Sequence, residues 1–157
     1  MKKFKLTSEF IVDISGVKLF RIKALIEFGN VKAGDLGGYI EKEENLSHMG
    51  DAWVSDDARI SGNAQVFGNA RVFGNAWVSG NARVSGDKDY AYAHGFGSCN
   101  RTTTFFRLKD GDVGVRCGCF YGTLAQFRDK VCETHGETKK AQEYLMLADL
   151  MEIRFKN

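Results

Sequence analysis

The chain of 157 residues contains no proline and no apolar run long enough to cross a membrane. Without proline, no rigid extended linker is expected, and the parts of the chain are predicted to pack directly on one another. The start, Met1-Lys2-Lys3, is not followed by the apolar stretch of a signal peptide, so a cytoplasmic location is predicted, with the four cysteines as reduced thiols. The chain also lacks an excess of positive or of negative charge. The 22 Lys and Arg against 20 Asp and Glu leave a net charge of +2, which gives no electrostatic case for nucleic-acid binding.

The sequence does contain a six-residue repeat between residues 52 and 84. An aliphatic residue recurs at Val54, Ile60, Val66, Val72, Val78 and Val84. Alanine recurs two positions before each of them, at Ala52, Ala58, Ala64, Ala70, Ala76 and Ala82. A third register holds Gly-Asn pairs, at Gly62-Asn63, Gly68-Asn69, Gly74-Asn75 and Gly80-Asn81. This period is not helical. It indicates a parallel β-helix in which Val and Ala point inward and Gly supplies positive φ at the corners.

The repeat also predicts which side chains stack on one another. If three repeats close one rung of the coil, residues 18 positions apart lie on neighbouring strands about 4.8 Å apart. The outward pairs are then Trp53 with Arg71, Arg59 with Trp77, and Gln65 with Arg83. Two of these pairs join Trp to Arg, which favours cation–π contact. Phe67 and Phe73 also face outward. We expect them to form a subunit interface, with packing against the chain's own terminal segments as the alternative.

The sequence divides into three parts, which together predict a β-rich fold. Residues 1–35 are predicted as an N-terminal β element with a turn at Ser15-Gly16, residues 36–87 as the hexapeptide β-helix, and residues 88–157 as an α+β unit. In the last part, two β-like runs, 102–108 and 113–119, flank an Asp110-Gly111 hairpin signal. Thr123 and Gln126 predict a capping box for a helix that ends near Gly136, and Thr138 predicts the cap of a second helix.

One stretch carries a family resemblance. Residues 35–48, reading DLGGYIEKEENLSH, with the following GDAWV and the Gly-Asn-Ala-Arg-Val repeats, resemble the left-handed β-helix (hexapeptide-repeat, transferase-like) proteins of phages and prophages. The resemblance covers roughly residues 15–87 and implies a left-handed, triangular coil and a homotrimer. The usual transferase hexapeptide has a small residue directly after the aliphatic one, whereas Ser or Phe stands there in this chain. The C-terminal unit resembles modules from phage genes of unassigned role, which imply no active site.

The sequence argues against an acyltransferase. That activity requires a general base, usually a histidine that projects from the coil. Residues 51–87 contain no histidine, and His48 is the nearest candidate. About three rungs are also short for a protein that binds an acyl carrier along its side. We therefore predict no catalytic residues and no cofactor.

The chemistry of interest lies in a glycine-rich loop and the hairpin that follows it. The predicted ligand-binding set is His94, Gly95, Phe96, Gly97, Ser98, Arg101, Thr102, Arg107, Arg116 and Tyr121. Backbone N–H groups and a guanidinium suit a phosphate or carboxylate, and Phe96 and Tyr121 suit stacking on a base. Arg107 and Arg116 are expected to add to the same face. The alternative is an ordinary turn before a strand whose threonines favour the sheet.

A metal site is a further possibility that the sequence leaves open. Cys117 and Cys119 share a strand face, and Cys132 and His135 share a helix face, so the four residues would make a tetrahedral zinc set. The spacing is not one of the strong zinc motifs, and free cysteine is commonly buried for packing alone. No metal is therefore predicted.

These observations lead to one expected function and two alternatives. We expect a non-catalytic, phage-encoded accessory protein, assembled as a homotrimer in the host cytoplasm. It would counteract host defence by sequestering a small anionic ligand, such as a nucleotide signal, or by blocking a host defence protein. The alternatives are a hexapeptide-repeat acyltransferase and a structural or assembly protein.

Overall fold

The computed structural model describes residues 2–97, 102–117 and 120–156, and within these ranges it contains thirteen strands and two α-helices. The N-terminal strands are β1 Phe4–Val12, β2 Lys18–Ala24 and β3 Leu36–Ile40. The short strands of the coil are β4 Trp53–Val54, β5 Arg59–Ile60, β6 Gln65–Val66, β7 Arg71–Val72, β8 Trp77–Val78 and β9 Arg83–Val84. The C-terminal elements are β10 Tyr90–His94, β11 Thr102–Arg107, β12 Val113–Cys117, β13 Phe120–Thr123, α1 Leu124–His135 and α2 Lys139–Arg154. The predicted β-rich fold is confirmed.

The six short strands pair in parallel with the strand three repeats away. The pairs are Trp53 with Arg71, Arg59 with Trp77, and Gln65 with Arg83, so the stacking predicted from the period is confirmed. They belong to three separate sheets, which gives the coil three sides. The first side holds β3, β5 and β8, the second β4 and β7, and the third β6 and β9. The inward alanine and aliphatic registers are almost completely buried, because every second side chain of a strand points to the same face.

The N-terminal strands extend the first side of the coil. β1 and β2 form an antiparallel hairpin, and β2 pairs with β3, so the sheet has the order β1-β2-β3-β5-β8. The Ser15-Gly16 turn is confirmed: the Asp13 carboxylate accepts from the backbone N–H groups of Ser15 (2.8 Å) and Val17 (3.0 Å). Phe4 and Ile22 are fully buried in the same hydrophobic cluster as the coil's valines. The hairpin and the coil therefore share one core.

The C-terminal residues form an antiparallel sheet, β10-β11-β12-β13, followed by the two helices. The predicted capping box is confirmed: Thr123 Oγ1 accepts from the Gln126 N–H (3.2 Å), and Gln126 Oε1 accepts from the Thr123 N–H (2.9 Å). The helix ends at Gly136, which has φ 58°. Thr138 caps α2 by accepting from the Ala141 N–H at 3.3 Å. A second hydrophobic cluster, which includes Phe105, lies between this sheet and the helices.

The other face of this sheet covers the last rung of the coil. Backbone groups of that end, which have no further rung to pair with, bond to the sheet instead. The Tyr90 hydroxyl donates to the Arg71 carbonyl, the Trp77 N–H donates to Thr104 Oγ1 (2.9 Å), and the Lys109 N–H donates to the Asn81 carbonyl (2.9 Å). The sheet thus removes an edge that could otherwise template another chain.

Among the described residues, no helix combines the length and the apolar character that crossing a membrane requires.

Candidate functional site

The predicted ligand residues are divided between the two faces of the C-terminal sheet. His94 pairs with Thr102, and Arg116 pairs with Tyr121, and all four lie on the face toward the coil. Arg107 lies on the opposite face, because it is an odd number of positions from Thr102 along the same strand. The expectation that Arg107 and Arg116 share a face is therefore wrong.

On the helix side, Arg107 makes internal contacts with Asp89 and Phe155. Its Nε donates to Asp89 (3.1 Å), and its Nη2 donates to the Phe155 carbonyl (3.3 Å). Burial of Asp89 opposes ionisation, but hydrogen bonds from Ser85 and Arg107 outweigh it and lower the pKa of Asp89. Arg107 thus joins the sheet to the end of the chain.

The glycine-rich loop makes its own internal contacts. His94 Nδ1 lies 2.7 Å from Thr102 Oγ1, Gly95 has φ 92°, and Phe96 is exposed. The Gly97 N–H donates to Glu143 Oε1 on α2 (2.8 Å). A carboxylate of the protein therefore occupies a donor that was predicted to receive an anionic ligand. Ser98 and Arg101 lie outside the described residues.

The first side of the coil carries a column of alternating guanidinium and aromatic side chains, here called the ladder. Its members are Arg21, Tyr39, Arg59, Trp77 and Arg116. The first four are cross-strand partners in succession. Arg21 Cζ lies 4.4 Å from the Tyr39 ring centroid, and Arg59 Cζ lies 5.7 Å from that of Trp77. Arg116 Cζ lies only 3.7 Å from the Trp77 ring centroid, so the C-terminal sheet extends the ladder and holds the indole in place.

A cleft of about 400 Å³ opens beside the ladder. We call it the ladder cleft, and it is lined by Ile11, Tyr39, Asp57, Arg59, Asn75, Trp77 and Thr102. Strands of the N-terminal hairpin, the coil and the C-terminal sheet all contribute to it. Of the predicted ligand residues that the structure describes, Thr102 alone lines it, while Arg116 contacts the Trp77 ring.

Two arginines of the ladder differ in how they are bonded. Arg21 bonds to Glu9 Oε2 (2.7 Å), to the Gly37 carbonyl (2.7 Å) and to the Tyr39 hydroxyl. Burial alone would lower the pKa of Arg21, but the bonds to Glu9 and Tyr39 raise it above its ordinary value. The Arg59 guanidinium has no hydrogen bond or ion pair with any residue of the described ranges. Arg59 therefore offers a full set of donors to a ligand.

Sequence reasoning found the Arg59–Trp77 pair but missed Tyr39, Asp57 and Asn75. Tyr39 precedes the regular repeat and is 20 positions before Arg59 rather than 18, so periodicity could not align the two residues. Asp57 and Asn75 occupy corners of the coil, where polar residues are expected for the turn alone.

The proposed metal ligands are not gathered in the described part of the chain. Cys117 is buried, where its sulfur accepts from Thr103 Oγ1 (3.2 Å) and lies 3.7 Å from the Tyr144 hydroxyl. Cys132 is exposed on α1, and His135 packs against Tyr144. Cys119 lies outside the described residues. No cluster of three or more His, Cys, Asp or Glu that could hold a metal occurs among the described positions.

The histidine that an acyltransferase would need is occupied by structural contacts. His48 Nδ1 accepts from the Lys3 N–H (3.0 Å), and Nε2 lies 3.0 Å from Glu43 Oε1. The ring stacks on Phe4 with centroids 4.2 Å apart. The hydrogen bond from Lys2 lowers the pKa of Glu43. Desolvation opposes this effect, and the hydrogen bond from His48 adds to it. Both ring nitrogens of His48 are therefore engaged.

The two outward phenylalanines lie in different surroundings. Phe73 packs edge-on against Tyr90 and Tyr92, with ring centroids 6.3 and 6.2 Å apart, and is still 45% exposed. Phe67 is half-buried beneath Arg83, whose Cζ lies 5.1 Å from its ring centroid. Phe73 thus contacts the C-terminal sheet of its own chain, which was the alternative expectation, and the interface itself stays a prediction.

The comparisons with known proteins bear on the coil alone. A family model described as the YdcK beta solenoid repeat matches residues 64–80, which include β6, β7 and β8. The chain therefore contains a β-solenoid repeat in this stretch. No curated protein matches the chain significantly.

Proposed function

We propose that this protein is a non-catalytic binding protein that holds a small anionic ligand in the ladder cleft. The observation that carries the proposal is the Arg59 guanidinium, which lies in a concave site beside two aromatic rings and has no acceptor among the residues that the structure describes. Its planar fork of N–H groups matches a phosphate or carboxylate in two parallel hydrogen bonds.

The other groups of the cleft suit the rest of a nucleotide. The Asp57 carboxylate lies 3.9 Å from Arg21 Nη2, and because its side chain is 72% exposed it can also accept from a ribose hydroxyl or from a base amine. The Asn75 amide can both donate and accept at a base edge. Tyr39 and Trp77 add apolar walls that are fixed by their own contacts, so little ordering is required on binding. A nucleotide signal is therefore the favoured ligand class.

Two features favour binding over acyl transfer. Both nitrogens of His48 are engaged, and His94 lies within hydrogen-bond distance of Thr102. The cleft itself contains no histidine among its described lining residues. These contacts favour sequestration of the ligand without chemical change.

The wider proposal concerns assembly and biological role. We propose that the coil is left-handed and triangular, that the protein is a homotrimer, and that it is encoded by a phage and counteracts host defence. These proposals rest on the family resemblance of residues 15–87. The covered end of the coil supports side-by-side association rather than endless stacking, because the last rung already bonds to the C-terminal sheet. This favours a discrete oligomer over a structural polymer.

The test is calorimetric titration with a panel of linear and cyclic nucleoside monophosphates. Arg59→Ala removes charge-assisted hydrogen bonds worth roughly 1.5–3 kcal/mol, so it should weaken binding by about 10- to 150-fold. Arg83→Ala is the matched control, since Arg83 holds the equivalent outward position on the third side of the coil. If no nucleotide binds wild type tighter than about 100 μM, near −5.5 kcal/mol, the nucleotide proposal is wrong.

A further inference from the structure

A second cavity, of about 360 Å³, lies on the third side of the coil and shares no lining residue with the ladder cleft. We call it the basic groove. Its charged side chains are Lys42, Glu44, Arg83 and Lys109, and its amide side chains are Asn63, Gln65 and Asn81.

The fold brings these residues into one column. Asn63 and Asn81 occupy the same corner position of two successive rungs, since each follows a corner glycine of the repeat. Lys42 Nζ donates to Asn63 Oδ1 (2.9 Å) at one end of the column. The backbone N–H of Lys109, from the β11–β12 turn, donates to the Asn81 carbonyl (2.9 Å) at the other end. The two lysines are therefore anchored at the ends of a short amide ladder, which Arg83 adjoins.

The charges of the basic groove are not balanced internally. Three cations face one carboxylate, Glu44, and none of the three forms an ion pair with a carboxylate in the described ranges. By contrast, Arg107 and Arg128 each pair with acidic side chains. A concave surface lined by one sign of charge focuses its field and raises the local concentration of counter-ions.

We infer that the basic groove binds a compact polyvalent phosphate, with two or more phosphate groups between the three cations. Lysine ammonium groups bind phosphate oxygens as point charges, and Arg83 adds a forked donor. Asn63 and Asn81 add neutral amide donors. No aromatic side chain lines this groove in the described part of the chain, so the site recognises the phosphates rather than an attached ring.

The probe is inorganic tripolyphosphate, titrated by calorimetry into the full-length protein at low and at high salt. We expect one tripolyphosphate bound at the groove, and this binding should weaken with salt, because the attraction between charges at a surface is screened. Lys42→Ala, Arg83→Ala and Lys109→Ala should each weaken binding by about tenfold or more. Arg128→Ala is the control and should leave it unchanged, because that guanidinium pairs with Asp149 and Glu152 outside the groove.

Two further ligands identify the source of the phosphates. Adenosine triphosphate should bind the groove about as tightly as tripolyphosphate, whereas adenosine without phosphate should not bind there. The inference is overturned if tripolyphosphate gives no binding at low salt, or if the three groove variants bind it as wild type does. It is also overturned if orthophosphate binds as tightly as tripolyphosphate, since one phosphate would then suffice. These outcomes do not depend on whether Arg59 binds a nucleotide.

Discussion

At the residue scale, two buried polar side chains complete the first rung of the coil. Lys3 Nζ donates to the Ala52 carbonyl (2.6 Å) and lies 4.5 Å from the Phe28 ring centroid. Asn45 Nδ2 donates to the carbonyls of Ala64 (2.9 Å) and Gly62 (3.2 Å). Buried carbonyls need such partners, so these residues provide hydrogen bonds that a regular hexapeptide would not supply.

The buried Lys3 predicts a pH dependence of stability. Burial, partly offset by the charge of Asp51, lowers the pKa of Lys3 from 10.5 to about 8. Between these two values the unfolded chain holds the proton and the folded chain does not. The free energy of unfolding should therefore rise as the pH increases from about 8 to 10.5.

The measurement for Lys3 is urea unfolding at several pH values, with Lys3→Met as the comparison. The variant keeps the length of the side chain but has no proton to lose. The difference in unfolding free energy between wild type and variant should grow in favour of wild type across this window. Parallel pH curves for the two proteins would show that Lys3 does not titrate there.

Gly80 and Gly86 make a matched pair for the corner positions. Gly80 has φ 67°, and a Cβ built on it meets the Tyr121 hydroxyl, whereas Gly86 has φ −166° and open space around it. Gly80→Ala should lower the free energy of unfolding by roughly 1–3 kcal/mol, because positive φ strains an alanine. Gly86→Ala should be neutral or slightly stabilising. Urea denaturation that gives equal values for both variants would contradict this account of the corners.

At the element scale, the C-terminal sheet depends on strand alternation to face the coil and the helices at once. Thr104, on the coil face, accepts the Trp77 N–H at 2.9 Å, while Thr103, on the helix face, donates to the Cys117 sulfur at 3.2 Å. Both threonines are almost completely buried. Substituting each threonine by valine therefore tests one face of the sheet at a time.

Thr104→Val should lower the free energy of unfolding by roughly 1–3 kcal/mol, because it leaves the Trp77 N–H buried without an acceptor. Thr103→Val should cost less, since sulfur is a weak acceptor and no donor is left unpaired. Valine keeps the shape and the β-branching of threonine, so urea unfolding reports the hydrogen bond. A larger loss for Thr103→Val would mean that the sheet does not cap the coil in this way.

Elements with local signals were predictable from the sequence. The Thr123 and Thr138 caps each join residues three positions apart in the sequence. The register of the coil follows from the repeat, which places cross-strand partners such as Arg59 and Trp77 a constant number of positions apart. Strands β10 and β13 were not predicted. Their short runs, Tyr90–His94 and Phe120–Thr123, become strands by pairing with β11 and β12, which a local pattern does not reveal.

In the candidate site too, contacts between distant parts of the sequence could not be predicted. The Gly97 N–H was predicted to bind a ligand anion, but it bonds to Glu143, which lies 46 positions away. Arg107 was grouped with Arg116 on the strength of their shared hairpin, although strand parity places them on opposite faces. The Arg59–Trp77 pair was predicted correctly because both residues belong to the repeat.

At the scale of the whole molecule, the predicted trimer depends on the outward side chains of the coil. Changing Phe67 and Phe73 to Ser together would remove apolar area worth roughly 1.5–3 kcal/mol for each fully buried ring. Light scattering should give three times the chain mass for wild type and a smaller mass for the double variant. Phe10→Ser is the control, because Phe10 on β1 is 45% exposed, as is Phe73. A double variant that stays trimeric would exclude these residues as the interface.

Native mass spectrometry can show whether the ladder cleft holds a small anionic ligand through Arg59. Wild type, Arg59→Ala and Arg83→Ala would be purified from nucleotide-fed cells and measured with each panel nucleotide at about 100 μM. We predict one bound nucleoside monophosphate per chain on wild type and on Arg83→Ala, and none on Arg59→Ala, because a single phosphate does not suffice for the basic groove. A wild type without bound nucleotide, or an Arg59→Ala variant that retains it fully, would contradict the claim.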